Sequence, residues 1–255
     1  MIAVHDNAGI IDLPVSSYIG TRQEFGLGFN GVGINASSTN VDYIEQYGND
    51  TGQGFLYGKT TGNVTTANNY DPYEMGGNFH IDNSARNTRG CYIVGSNTVK
   101  TQYWSMSIGF EITNISSTTF QMICAANTAA FYFYVYGAES RFRWYTGGAT
   151  YYFPNGSFQY GKKYIAVLSN NPSGGSTGGR GTIYRDGGST YTAATTAGTS
   201  STTTGSRIGV SSYGSYNANY NCNIKFGHFV WWENYALGST QRTEVINKYR
   251  YKYRI

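Results

Sequence analysis

The sequence predicts an all-β fold: two antiparallel sheets packed as a sandwich, with one short C-terminal helix. Three observations carry that prediction. WSMSIGFEITN alternates Trp104, Met106, Ile108, Phe110 and Ile112 with Ser105, Ser107, Gly109, Glu111 and Thr113, which is the strict period of two of a strand with a buried face. Similar runs recur at intervals of roughly ten residues, separated by turn clusters. The composition agrees, since 25 Tyr and 34 Gly among 255 residues, with abundant Asn, Ser and Thr, supply pleated surface and turns.

Residues 1–69 hold only short apolar runs, IIDLPV and FGLGF, among Gly, Asn and Thr. Such a segment buries too little surface to order itself, so it is expected to be an N-terminal extension, an arm that docks on a neighbouring subunit or on the rest of the chain. Residues 70–255 form the regular domain. Strands are expected at WSMSIGFEITN, FQMICAA, AFYFYVYG, SRFRWYT, KKYIAVLS, GTIYRDG, SRIGV and IKFGHFVWW. NPSGGSTGGRG and GGSTYTAATTAGTSSTTTGS have the Gly, Ser and Thr content of surface loops. LGSTQRTEVINKYRYKY predicts the helix, starting over Leu237 to Ser239, with Val245, Ile246 and Tyr249 at helical spacing.

The order of these pieces resembles the laminin-G-like branch of the concanavalin A-like lectin/glucanase superfamily over about residues 70–255. GGNFHIDNSARNTRGCYIVG is similar to that family's opening strand and its return, WSMSIGFEI to its first long strand, and YGKKYIAVLSN to a strand with an aromatic before an apolar run. TIYRDGG resembles its Tyr-x-Asp-Gly hairpin; RIGV and IKFGHFVWWENYALGSTQRTEVINKY resemble its closing strands, its N-x-A-L turn and its last helix. The resemblance implies a jelly-roll sandwich. It implies no single activity, because family members bind glycans, cleave them or mediate adhesion.

Charge narrows the partners. Eighteen basic against fourteen acidic residues, a net +4, leave no dense cationic field for a nucleic-acid backbone. No run of about 18 apolar residues offers membrane insertion. The opening MIAVHDNAGI lacks the basic start and apolar run of a secretory signal, although the composition is that of an outer recognition surface. A virion protein, made without a secretory signal and carried on an extracellular particle, reconciles the two; a mature secreted chain does so as well. Cys91, Cys124 and Cys222 are odd in number and show no C-x-x-C spacing, which predicts buried free thiols.

Glycoside hydrolysis needs two carboxylates about 5 Å apart for retention, or further for inversion. Asp42 with Glu45 and Asp71 with Glu74 are spaced by three, on opposite faces of any strand, while Glu111 and Glu233 stand alone on theirs. The expectation is therefore a non-enzyme with no catalytic residues. His5, His80 and His228 have no zinc-ligand spacing. Calcium is the cofactor that the resemblance raises; Asn69, Asp71 and Glu74 of NYDPYE offer oxygens, and an Asx turn at Asp71-Pro72 accounts for the same residues.

FYFYVYG is followed by GAESRFRWYT, and a connection through Gly137, Ala138, Glu139 and Ser140 makes a hairpin. That register sets Tyr136 opposite Arg141, Val135 opposite Phe142, Tyr134 opposite Arg143, Phe133 opposite Trp144 and Tyr132 opposite Tyr145. One face is then core, and a slip by one residue would drive Arg into it. The other collects Tyr132, Tyr134, Tyr136, Arg141, Arg143 and Tyr145. Such a face stiffens a sheet, or it holds a sugar or a protein partner. A second candidate, VSSYGSYNANYNCN, offers Tyr213, Tyr216, Asn217 and Tyr220 in the composition of adaptable binding loops. Together these features predict a non-enzymatic, homo-oligomeric virion protein, on a bacteriophage head or tail, that meets a cell-surface glycan or other virion proteins. A self-assembling subunit without a glycan ligand and a glycoside hydrolase are the alternatives.

Overall fold

The computed structural model describes residues 103–114, 120–126, 131–146, 149–195, 208–210, 223–233 and 235–255, together with short strands between residues 24 and 95. In chain order the early strands are β1 (Glu24–Leu27), β2 (Ile34–Ser37), β3 (Asn40–Ile44), β4 (Gln46–Gly48), β5 (Phe55–Lys59) and β6 (Asn63–Thr65). Then come β7 (His80–Asp82), β8 (Cys91–Gly95), β9 (Trp104–Asn114), β10 (Phe120–Ala126), β11 (Phe131–Tyr136) and β12 (Arg141–Thr146). The last are β13 (Ala149–Tyr152), β14 (Lys163–Asn170), β15 (Gly179–Arg185), β16 (Ser189–Thr195), β17 (Ile208–Val210) and β18 (Asn223–Glu233), before the helix α1 (Ser239–Tyr253).

These strands form two antiparallel sheets. The first runs β16-β15-β14-β9-β18-β1-β4, with β7 also on β18 and β6 beyond it; the second runs β13-β12-β11-β10-β17-β8-β5-β3-β2. The β-sandwich with a C-terminal helix that the sequence predicts is thus present, and each of the eight runs read as strands contributes one. Strands between residues 24 and 65 join both sheets, β1 on β18 and β5 on β8. They are three to five residues long, too short for a side-chain period to show in the sequence. One expectation is corrected: Ser189–Thr195, inside the segment read as a loop, is a full strand in register with β15. Its partner's backbone hydrogen bonds order it, which Ser- and Thr-rich composition does not announce.

Aromatic rings hold the sheets together. Phe110 on β9 meets Phe133 and Phe142 edge-on at 5.9 and 5.8 Å, and Trp104 meets Phe131 at 4.9 Å. On β15, Gly179 and Gly181 face the other sheet. A Cβ on Gly179 would lie 2.0 Å from the Tyr151 ring, and one on Gly181 would lie 2.1 Å from Trp144. The two glycines leave the space that the stacked pair Trp144 and Tyr151, 4.4 Å apart, fills.

The outer face of the first sheet is covered too. Val245, Ile246, Tyr249 and Tyr253 of α1 pack on Ile165, Val167, Val230 and Trp232. KYIAVLSN does not alternate because both faces of β14 are buried. The serines of β9 stand on the helix side and are 0% exposed, where the alternation had read as a polar, single-buried strand. They are satisfied locally: Ser105 Oγ donates to Tyr235 O at 2.9 Å and accepts from Leu237 N at 2.8 Å. Ser107 Oγ lies 2.7 Å from His228 Nε2.

His228 stacks on Tyr249 at 3.3 Å between ring centroids, with its Nδ1 3.2 Å from the Tyr253 hydroxyl. A Cβ on Gly109 would sit 2.6 Å from that Nδ1. Burial, helped by the charges of Lys252 and Lys248, holds the imidazole well below its ordinary pKa. The unfolded chain then takes up a proton below about pH 6.5 that the folded chain refuses. Stability should therefore be level above that value and fall as pH drops through it toward the folded pKa. Melting curves from about pH 7 to about pH 5 should show this fall, with a shallower slope in His228→Gln. Equal slopes would rule out His228 as the titrating group.

Cys124 is a buried free thiol, as expected, with its pKa pushed up by burial. Among the described residues, no helix is long and apolar enough to cross a membrane, and no three His, Cys, Asp or Glu side chains gather as metal ligands. Asn69, Asp71 and Glu74 lie outside the described residues.

Candidate functional site

The hairpin of β11 and β12 has the register read from the sequence, with all five pairs from Tyr136 opposite Arg141 to Tyr132 opposite Tyr145 in place. A 3-10 turn, Gly137–Glu139, followed by Ser140 in the left-handed region (φ 46°), reverses the chain. Phe133, Val135, Phe142 and Trp144 are 0% exposed. The opposite face carries the six predicted Tyr and Arg side chains.

Strand pairing arranges them in rows. Met122 on β10, Tyr134, Arg143 and Tyr152 on β13 form one row across four strands. Tyr132, Tyr145 and Thr150 form the next, and Tyr136 with Arg141 a third. Tyr134 is the covered centre, 8% exposed and packed on Met122, with Tyr132 and Tyr136 against it. Burial pushes its phenol pKa up, and Arg143 hydrogen-bonds to it.

The arginines are held from several sides. The Arg143 guanidinium lies 3.9 Å from the Tyr136 ring centre and 4.9 Å from that of Tyr152, while Arg141 lies 4.6 Å over Tyr152. Glu139 ion-pairs with both. Hydrogen bonding from Arg143 keeps the Glu139 carboxyl below its usual range, so the pairs persist into mild acid. Tyr132 and Tyr145 stack at 4.6 Å and 11°. The result is a rigid aromatic surface whose most open ring is Tyr152, 49% exposed.

Tyr152 and Glu139 were not among the predicted site residues. The signal for Tyr152 was available, since a Gly-Gly pair between RFRWYT and ATYY is a hairpin signature in sequence, and β13 does pair with β12. Glu139 was read as part of the connection, and only the folded turn brings its carboxylate to both guanidinium groups. Tyr213, Tyr216, Asn217 and Tyr220 lie outside the described residues. Glu111 lies 3.7 Å from Lys225 Nζ.

No protein-family model matches the sequence, and no curated protein does. Several solved structures are similar in fold. The receptor-binding domain of botulinum neurotoxin mosaic serotype C/D has a TM-score of 0.54 at 11% identity, over 89% of this chain and 51% of that one. A structure of botulinum neurotoxin type C, whose cell entry is dependent upon interaction with two ganglioside molecules, has 0.51 at 10%, over 85% and 50%. Trypanosoma rangeli sialidase in complex with sialic acid has 0.52 at 15%, over 88% and 32%. The chain spans about half the length of the toxin structures and about a third of the sialidase. At these identities the likeness is one of fold, a β-sandwich shared with larger proteins.

Proposed function

We propose that the chain is a non-enzymatic recognition protein of a virion that holds a cell-surface glycan on the tyrosine and arginine face. The observation that carries the reading is Tyr152, a half-exposed ring with the guanidinium groups of Arg141 and Arg143 over it at 4.6 and 4.9 Å. A ring held this way stacks on a sugar face at little entropic cost, and the neighbouring phenols and guanidinium groups are donors for hydroxyls. Solved structures of similar fold come from proteins whose described ligands are a ganglioside and sialic acid, which supports glycan as the ligand class. The Tyr-, Gly- and Asn-rich composition supports an outer surface as the setting. Single glycan contacts of this kind are weak, so the proposal includes a homo-oligomer, in which linked sites bind together.

A glycan array with the purified chain tests the reading. A defined subset of glycans should bind, and Tyr152→Ala should weaken binding by about 2 kcal/mol, roughly thirtyfold, without lowering the melting temperature. An empty array, or a Tyr152→Ala variant that binds as the parent does, would remove this face from the function. Release of reducing ends from a bound polysaccharide would make the protein a hydrolase.

A further inference from the structure

Away from that face, a cleft of about 440 Å³ opens between the end of β14, the start of β15 and the start of α1, lined by Ser169, Asn171, Arg180, Leu237, Ser239 and Arg242. That is the size of a small-molecule site. Its charge is unbalanced. Arg242 is 8% exposed, and among the described residues neither it nor Arg180 ion-pairs with a carboxylate. Arg242 Nη1 donates to Leu237 O at 2.7 Å and, at 3.4 Å, to Ser169 Oγ, while Nε reaches Thr182 Oγ1 at 3.4 Å. Among the described residues, Nη2 has no hydrogen-bond acceptor.

Arg242 is also placed against the helix dipole. It is the fourth residue of α1, whose first turn contains no acid and whose N-cap is Gly238; the N-cap N–H donates to Gln241 Oε1 at 2.9 Å, a neutral cap that adds no negative charge. Partial positive charge collects at that end, and a cation there is unfavourable. Burial and the nearby Arg180 push the guanidinium pKa down, the direction expected for a cation with no counter-charge. A buried charge is ordinarily paired. Here two guanidinium groups and the first residues of α1 line one cavity, and a single anion would compensate both cations and the positive end of the helix.

We propose that this cleft is an oxyanion site, which takes a small ligand by a carboxylate or sulfate group. The guanidinium groups of Arg180 and Arg242 hold the anion, with Ser239 and the first turn of α1 as further donors. The site shares no residue with the tyrosine face and stands or falls independently of the function proposed there.

Calorimetric titration of the full chain with glucuronate, glucose 6-sulfate and neutral glucose tests it. One or both acids should bind and glucose should not; a preference between the two acids identifies carboxylate or sulfate as the group recognised. Arg180→Met, which removes the less buried cation, should weaken the binding by about tenfold, the loss of one charge-assisted contact. Arg242→Met should abolish it, and if that variant fails to fold, Arg180→Met alone decides. Absence of binding by both acids, glucose binding equal to theirs, or an unchanged Arg180→Met would overturn the proposal and leave Arg242 a clasp for the Leu237 carbonyl.

Discussion

Phe133→Ala should cost the protein about 3–5 kcal/mol of stability, whereas Tyr132→Ala, one residue earlier, should cost about 1 kcal/mol or less. Phe133 is 0% exposed, stacked on Phe142 at 5.6 Å and edge-on to Phe110 across the sheets, so truncation leaves a cavity between two rigid layers. Tyr132 stands on the outer face, where its stacking partner Tyr145 remains and water fills the gap. Tyr134→Ala should fall between the two. From the sequence alone its cost is that of a cross-strand contact, but the ring is 8% exposed and covers Met122. Urea denaturation of the three variants measures the order. A loss at Tyr132 as large as that at Phe133 would mean that the outer face is covered by further structure.

Gly181→Val should destabilise by about 3 kcal/mol, the upper end of the usual range for overpacking. The added Cβ would lie 2.1 Å from Trp144 and 2.7 Å from Phe153, and the obstruction is the body of two buried rings. Trp144 cannot turn aside, because Tyr151 stacks on it at 4.4 Å. The sheets must separate locally, although valine is itself a favourable strand residue. Gly174→Ala is the control, since its Cβ would meet nothing nearer than 3.8 Å. If Gly181→Val melts as the parent does, the two sheets do not approach as closely as the structure has them.

Much of this was legible in the chain. Period two announces a strand and its apolar side, and Trp104 to Ile112 read correctly as a strand for that reason, although the burial of its serine face was not legible. Register in the β11–β12 hairpin was legible because the short connection sets it and a slip by one residue would drive Arg141 and Arg143 into the apolar face. The helix announced itself by Val245, Ile246 and Tyr249. Hidden elements were those whose pattern carries no contrast. Ser189–Thr195, STYTAAT, has no large aliphatic residue to mark a buried face, and the strands between residues 24 and 65 are too short for a period.

What the sequence determined by itself was therefore local: strand against helix, the inward and outward sides of a hairpin, and a concentration of Tyr and Arg on one of them. What each side chain then touches, near in the chain or far from it, was decided only by the folded structure. Glu139 reaches both arginines because a 3-10 turn folds it back, and Tyr152 joins the face through a strand pairing. Ser105 and Ser107 find their partners more than a hundred residues later, in the segment leading into α1 and in His228 of β18. Arg180 and Arg242, 62 residues apart, share a cleft because the start of β15 lies beside the start of α1. Side-chain periodicity records which way a residue points; what it then meets depends on how the layers stack, and no local pattern encodes that.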